Sequence, residues 1–284
     1  MNSAKDISHN NNKSYLAYQV FKYSIYFFLC YNLYVFFIDD YHASSQTYPD
    51  GITLSNLVLA FATTIDTLSW IILLAVFELE TWIIDDAKIK GATRWALNLI
   101  RAVCYIFIIY SAWGYTNKFL MLMDYIAFSI DDVCALINSS YTQIITLDDY
   151  VPITLESCQI LNQQELFQIT GTNIISARES LDAAIYLALI DIVNSYAWLI
   201  IVAILEVDVY LQLKGKFTGF AFTSSKLLKM AVYSLLFVCA VLWGIDGAFI
   251  DFWDAFLWLL AFFFIEMNIF EWHAETEKQN ASTS

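Results

Sequence analysis

Apolar residues run almost unbroken through six stretches of this chain, 15–38, 52–84, 96–115, 183–205, 230–250 and 255–270. Each is close to or above the roughly 20 residues that a helix needs to cross a hydrocarbon core. Polar residues gather between them. The pattern predicts an all-α integral membrane protein with six transmembrane helices. It divides into a tail at 1–14, helices one to three within 15–118, a long polar segment at 119–182, helices four to six within 183–272 and a tail at 273–284. The first stretch is too long for the apolar region of a signal peptide and no small-residue cleavage site follows it, so it reads as a span.

One helix is written twice. The run from Trp70 to Trp82 recurs 128 positions later as the run from Trp198 to Tyr210. Each opens on a Trp, continues apolar and closes on an acidic pair, Glu78 with Glu80 and Glu206 with Asp208. The same offset relates Asp66 to Asn194, Thr67 to Ser195 and Arg101 to Lys229. Internal repeats of this kind record how a membrane protein is assembled.

Composition strengthens the membrane reading. A soluble domain carries about a quarter charged residues, whereas this chain has 15% charged and 59% hydrophobic residues, with a mean hydropathy of +0.57. Basic residues are scarce, so each one weighs on topology. With six spans, twelve of the fourteen Lys and Arg fall on one side and only Lys118 and Arg178 on the other. Both termini are therefore placed in the cytoplasm and 119–182 outside. A seventh span at 119–137 is the rival, but it sends Lys214 to Lys229 outward, and the charge rule rejects it. With this topology both copies of the repeat run outside to inside, and spans two and three repeat in parallel as spans four and five. The expected location is a bacterial inner (plasma) membrane or an equivalent cellular membrane.

The net charge of −14 is mostly an exterior property, since Asp39, Asp40, Asp131, Asp132, Asp148, Asp149, Glu156 and Glu179 lie on or beside outer loops. Such a face repels nucleic acid and attracts cations or a basic partner. The outer segment is expected to lie against the bilayer as a small cap, with a short apolar run at 143–147 and a more helical stretch at 161–167. Of five cysteines, Cys30, Cys104 and Cys239 fall in helices, and Cys134 and Cys158 share the outer loop. An oxidising exterior favours a Cys134–Cys158 bridge, which would stabilise the loop it closes by a few kcal/mol; two free thiols are the other reading. Asn138-Ser139-Ser140 is a glycosylation acceptor motif, without meaning in a bacterial host.

Chemistry is sought where polar groups are costly to bury. Measured from Asp50 to Glu78, Asp66 lies about halfway along the second span; measured from Asp182 to Glu206, Asp191 and Asn194 lie about halfway along the fourth. Residues three or four apart share a helix face, so Thr63, Asp66, Thr67 and Trp70 form one stripe and Asp191, Asn194, Ser195 and Trp198 the other. A charged acid at the bilayer centre costs about 2.5–3.5 kcal/mol, and no Lys or Arg is expected at matching depth. Two readings follow. The six polar residues Thr63, Asp66, Thr67, Asp191, Asn194 and Ser195 form a proton or cation site between the repeats, or they hydrogen-bond across packed helices as ordinary glue. Both prolines and nearly all glycines lie at span ends or in loops, which predicts continuous, stiff spans and favours glue.

Glu78, Glu80, Glu206 and Asp208 lie at the cytoplasmic boundary. They read as partners of the basic loops at 88–94 and 214–229, or as a duplicated acidic docking site. Trp95, Trp113, Tyr115, Trp253, Trp258 and Trp272 near span ends read as an interfacial belt. No nucleophile beside a His, no Gly-rich phosphate loop and no Cys-x-x-Cys occurs, so neither catalysis, a metal nor a cofactor is expected. Two functional expectations remain: a non-catalytic membrane subunit or assembly factor packed against lipid and other integral membrane proteins or copies of itself, or a proton- or cation-translocating protein using Asp66 and Asp191.

Overall fold

A computed structural model describes residues 3–48, 51–54, 56–80, 91–214 and 219–263, leaving aside the side chains of 3–15, 17, 212 and 213. Trp82, Asp85, Asp86, Lys88, Lys90, Lys216, the second half of the sixth predicted span, Trp272 and the last tail lie outside the described residues. The described residues are 75% helical, and among them four helical segments are long and apolar enough to cross a membrane: Tyr18–Thr47, Ala92–Met123, Arg178–Leu211 and Phe220–Ile245.

In chain order the elements are α1 (Ser3–Thr47), α2 (Leu57–Ala60), α3 (Ala62–Glu78), α4 (Ala92–Met123), β1 (Tyr125–Phe128), β2 (Thr142–Ile144), β3 (Tyr150–Pro152), α5 (Leu155–Leu161), β4 (Leu166–Ile169), β5 (Ile174–Ala177), α6 (Arg178–Leu213) and α7 (Phe220–Ile245). A further helical stretch, α8, covers 249–263. The chain divides into two compact units, residues 1–32 with 236–284 and residues 33–235.

The second predicted span is not continuous. It breaks at Phe61, whose φ of −122° and ψ of 38° are not helical, and α3 begins anew at Ala62. Neither Gly nor Pro marks the break. What holds it lies in another helix. A helix start leaves its first backbone N–H groups without partners, and a Phe at the cap position has no acceptor to offer. Asp40 of α1 takes that place, its Oδ2 accepting from the Thr64 N–H at 2.9 Å and the Thr64 hydroxyl at 2.7 Å. A carboxylate also suits the positive end of the helix dipole. The expectation of stiff, unbroken spans fails here because tertiary capping does what local sequence does not.

Within 33–235, α4 packs along both α3 and α6. Gly114 permits the close approach to α3: a Cβ at that position would meet the Ala62 Cβ at 2.8 Å. Small residues at such crossings are how helices in lipid pack tightly. In the other unit, the fully buried Asn32 donates to Asp254 Oδ1 at 2.9 Å, and Phe28 packs edge-on against Trp253 at 5.8 Å. The interfacial-belt reading is corrected at two positions, since Tyr115 and Trp258 are buried, whereas Trp95 and Trp113 are exposed.

The all-α expectation is also corrected. Residues 125–177 carry a five-stranded sheet of order β1-β4-β5-β2-β3, with β2 and β5 parallel and the other neighbours antiparallel. The segment 124–137 forms a strand and a short 3-10 turn at Val133–Leu136, which removes it as a seventh helical span. The stretch at 161–167 is not one helix. α5 opens on a capping box between Thr154 and Ser157 and stops after Leu161, polar Asn162 to Glu165 turn the chain, and β4 follows. Val133, Ile153, Cys158, Leu161, Leu166 and Ile175 form the core of this cap. A single residue separates α4 from β1, and none separates β5 from α6. Arg178, the first residue of α6, fastens the joint by donating to the Tyr125 hydroxyl at 2.9 Å and pairing with Asp182 at 3.0 Å.

Cys134 and Cys158, 24 positions apart in sequence, are bridged, with Cα atoms 5.0 Å apart. The bridge ties the 3-10 turn to α5 across the cap core. Its removal in a Cys134→Ser/Cys158→Ser variant is expected to destabilise the cap by about 3 kcal/mol, measured by denaturant unfolding followed through near-ultraviolet circular dichroism, with the apolar helices unaffected.

Candidate functional site

The polar groups of 33–235 fall into two bands along α3, α4 and α6, separated by an aromatic contact. The band nearer the cap is centred on Tyr115. This residue lies on the buried face of α4, and its hydroxyl contacts Asp66 Oδ2 at 3.4 Å. Thr63 hydrogen-bonds the same tyrosine, and Asp191 of α6 and Asp40 of α1 lie within its electrostatic reach. One turn further along α4, Lys118 forms an ion pair with Asp148 of the loop between β2 and β3. Asp191 is also within electrostatic reach of Lys118. The expectation of no cation at matching depth is thereby corrected: α4 brings Lys118 within electrostatic reach of Asp191.

The two predicted stripes do come together, and their meeting point is Tyr115 on α4, read from sequence only as a belt residue. Of the six candidate residues, Thr63, Asp66 and Asp191 surround it. Thr67 is buried on the same stripe of α3. Ser195 is buried too, but its hydroxyl is spent on its own helix, donating to the Ile192 carbonyl at 3.1 Å. The Asn194 Oδ1 is buried and has no hydrogen-bond partner among the described residues, as is also true of the Ser111 hydroxyl one turn from Tyr115. Because α3 starts only at Ala62, Asp66 lies in its second turn, 14 residues or about 21 Å of helix from Glu80. Asp66 therefore lies near the start of α3 and not midway along it.

Below it, Trp70 and Trp198 pack against each other with ring centres 5.9 Å apart, both buried. On α4 the buried Ile108 and Cys104 continue this dry stretch.

The second band holds the acidic pairs. Glu80 is paired with Arg101. Asp208 is paired with Lys229 at 3.3 Å and accepts from Ser225 at 2.6 Å. Glu206 accepts from Tyr105 at 2.9 Å. The two ion pairs occupy corresponding positions, each spanning 21 residues in sequence. Lys229 ends the basic segment 214–229 from which a partner was expected, although it sits within α7, whereas Arg101 lies in α4 beyond the segment 88–94. Glu78 is half-buried and also engaged. Glu80, Glu206 and Asp208 each have a partner inside the chain.

At the cap, Asn162 and the Cys134 N–H donate to Asp132 and hold its carboxyl below the usual range. Tyr150 donates to the Leu147 carbonyl at 3.0 Å, and burial pushes its hydroxyl up to about 12 from 10.0, with Lys118 pulling the other way. A tyrosine held neutral in the fold stabilises fully below its unfolded value. That contribution is lost as pH rises from 10.0 through about 12. Alkaline unfolding of the cap, followed by circular dichroism, is expected to be steeper over that window in the wild type than in Tyr150→Phe.

Lys118, Tyr115 and Ser111 share one face of α4 at helical spacing, and that stripe was the one available signal for the missing half of the site. No family model, curated protein or solved structure matches this chain, so its site is interpreted from geometry alone.

Proposed function

We propose that the chain is a non-catalytic, six-span membrane subunit or scaffold, with both termini in the cytoplasm and the cap outside, packed against lipid and against other integral membrane proteins or copies of itself. The observation that carries this reading is the internal pairing of its acidic side chains. Asp66 meets Tyr115, Glu80 meets Arg101, Glu206 meets Tyr105 and Asp208 meets Lys229 and Ser225. Polar chemistry is turned inward and used as glue between helices. The outward faces are apolar: Ile106 and Ile109 on α4 and Leu227 and Phe237 on α7 are exposed.

Topology rests on the distribution of basic residues and is supported by the disulfide in the cap, which suits an oxidising compartment. A parallel duplication is supported by the matched ion pairs and by the Trp70–Trp198 contact. Equivalent residues that touch each other are the mark of a two-fold relation. Tyr105 and Glu206, which hydrogen-bond across this relation, have Tyr233 and Glu78 as their equivalents.

Photoreactive side chains placed at Ile106 and Phe237 in native membranes are expected to yield discrete protein adducts, and adducts with lipid alone would overturn the subunit reading. Proteoliposomes are expected to show no proton or sodium flux above empty vesicles. A flux abolished by Asp66→Asn with Asp191→Asn would replace this reading with the translocating one, which the helix break at Phe61 beside Asp66 favours.

A further inference from the structure

We propose that β1 is a docking strand: the open edge of the cap sheet takes up an extended, positively charged segment of a partner protein as a sixth strand. This contact is separate from the apolar faces of α4 and α7 and does not depend on them.

The open edge follows from the register. The strand order leaves β1 and β3 at the two margins of the sheet. The Thr170 N–H donates to the Asp124 carbonyl at 2.9 Å, one step beyond the pairing of Tyr125 with Ile169. Opposed residues of an antiparallel pair alternate between bonded and non-bonded positions. The main chain of Ile126 and Phe128 therefore turns to β4, and that of Tyr125 and Ala127 turns outward. Neither outward residue has a main-chain partner on that side among the described residues. Ile126 and Ala127 point to opposite faces of the sheet and both are exposed, Ile126 at 55%.

Sheet margins are ordinarily guarded by Pro, Lys or a covering element, because unpaired main-chain groups invite another strand. At the far margin β3 ends on Pro152, which has no N–H to offer. β1 reads Tyr-Ile-Ala-Phe and carries neither Pro nor Lys.

Charge selects the occupant. Residues 124–177 contain seven Asp or Glu and no Lys, Arg or His. Asp124 precedes β1, Asp131 and Asp132 follow it, and Glu165 stands just before Leu166, the partner of Phe128. All four are exposed. The nearby Arg178 lies over the Tyr125 and Phe167 rings and is paired with Asp182, outside this set. A second copy suits the edge poorly, since β1 paired antiparallel with itself brings Asp124 of one copy towards Asp131 of the other, and like charges across strands repel. Lys or Arg flanking a partner strand meets an acid at either end instead. Strand addition of this kind draws affinity from main-chain hydrogen bonds and specificity from side chains at alternate positions.

The test uses the full chain in lipid nanodiscs and, as probe, a synthetic peptide alternating Lys with Val; a Glu–Val peptide of the same length is the control. Binding is followed by fluorescence anisotropy, and amide hydrogen exchange is read by mass spectrometry over 124–130. The Lys–Val peptide is expected to slow exchange of the Tyr125 and Ala127 amides by about tenfold, with affinity that falls as salt is added. Asp131→Asn and Glu165→Gln are each expected to weaken binding about threefold and to flatten the salt dependence. Ala127→Pro removes an outward N–H while leaving the ladder to β4 in place, and is expected to weaken binding about tenfold. A Lys–Val peptide N-methylated at alternate residues makes the same test on the unaltered protein and is expected to lose affinity likewise. Four outcomes overturn the proposal: slow exchange of Tyr125 and Ala127 without peptide, equal binding of the Glu–Val peptide, undiminished binding of the N-methylated peptide, or binding that leaves exchange over 124–130 unchanged. Protection that grows with protein concentration alone also overturns it, in favour of a second copy on the edge.

Discussion

Asp40→Leu is expected to destabilise the helical body by about 3 kcal/mol, an effect far larger than its place on a surface-facing acidic loop in the sequence implies. The substitution removes the carboxylate that accepts from the Thr64 N–H and the Thr64 hydroxyl, and leaves both without that partner. The contact is part-buried between two helices, so the cost approaches the upper end of what an unmet buried donor carries. Asp40→Asn separates the two parts of the interaction: its side-chain oxygen still accepts, while the charge facing the helix start is gone. A loss of about 1 kcal/mol is expected for Asn. Unfolding in mixed micelles, followed by tryptophan fluorescence, distinguishes the two variants. Equal effects of Leu and Asn would show that charge, not hydrogen bonding, holds α3 in place.

Gly114→Ala is expected to cost about 2 kcal/mol, within the range for overpacking a tight contact. The added Cβ would stand 2.8 Å from the Ala62 Cβ, so α3 and α4 must separate. The neighbouring Tyr115 then draws away from Asp66, which makes the variant a test of the site as well as of packing. Ala62→Gly in the same chain removes the opposing carbon and is expected to restore most of the loss. A double-mutant cycle gives the coupling directly, since the two positions touch and cannot be additive. Additive effects would mean that the helices are not held at this crossing.

Several features were legible in the residues alone because they depend on local periodicity or on compartment. Long apolar helices follow from uninterrupted apolar runs. The Trp70 and Trp198 copies announce themselves by spacing, as do the acidic pairs and Arg101 with Lys229. The Cys134–Cys158 bridge is the natural pairing once two cysteines share one polar loop. The cap sheet was not legible, because its strands are only three or four residues long and so short a run carries no readable alternation. The break at Phe61 escaped for a different reason: the rule that breaks occur at Gly or Pro concerns local propensity, and this break is held by an acid contributed from α1. Tyr115 was misplaced by habit of composition, an aromatic near a span end being an interfacial residue more often than a buried one.

Sequence therefore determines what a residue must avoid, and with it the presence of helices apolar enough to cross a membrane and the two stripes of polar positions, since hydrophobicity and helical period act within a dozen residues. Tertiary structure decides which polar group answers which. The acid that caps α3 comes from α1, the tyrosine that joins the two stripes and the lysine that faces Asp191 both come from α4, and electrostatic and hydrogen-bond energies depend on distances that only packing sets.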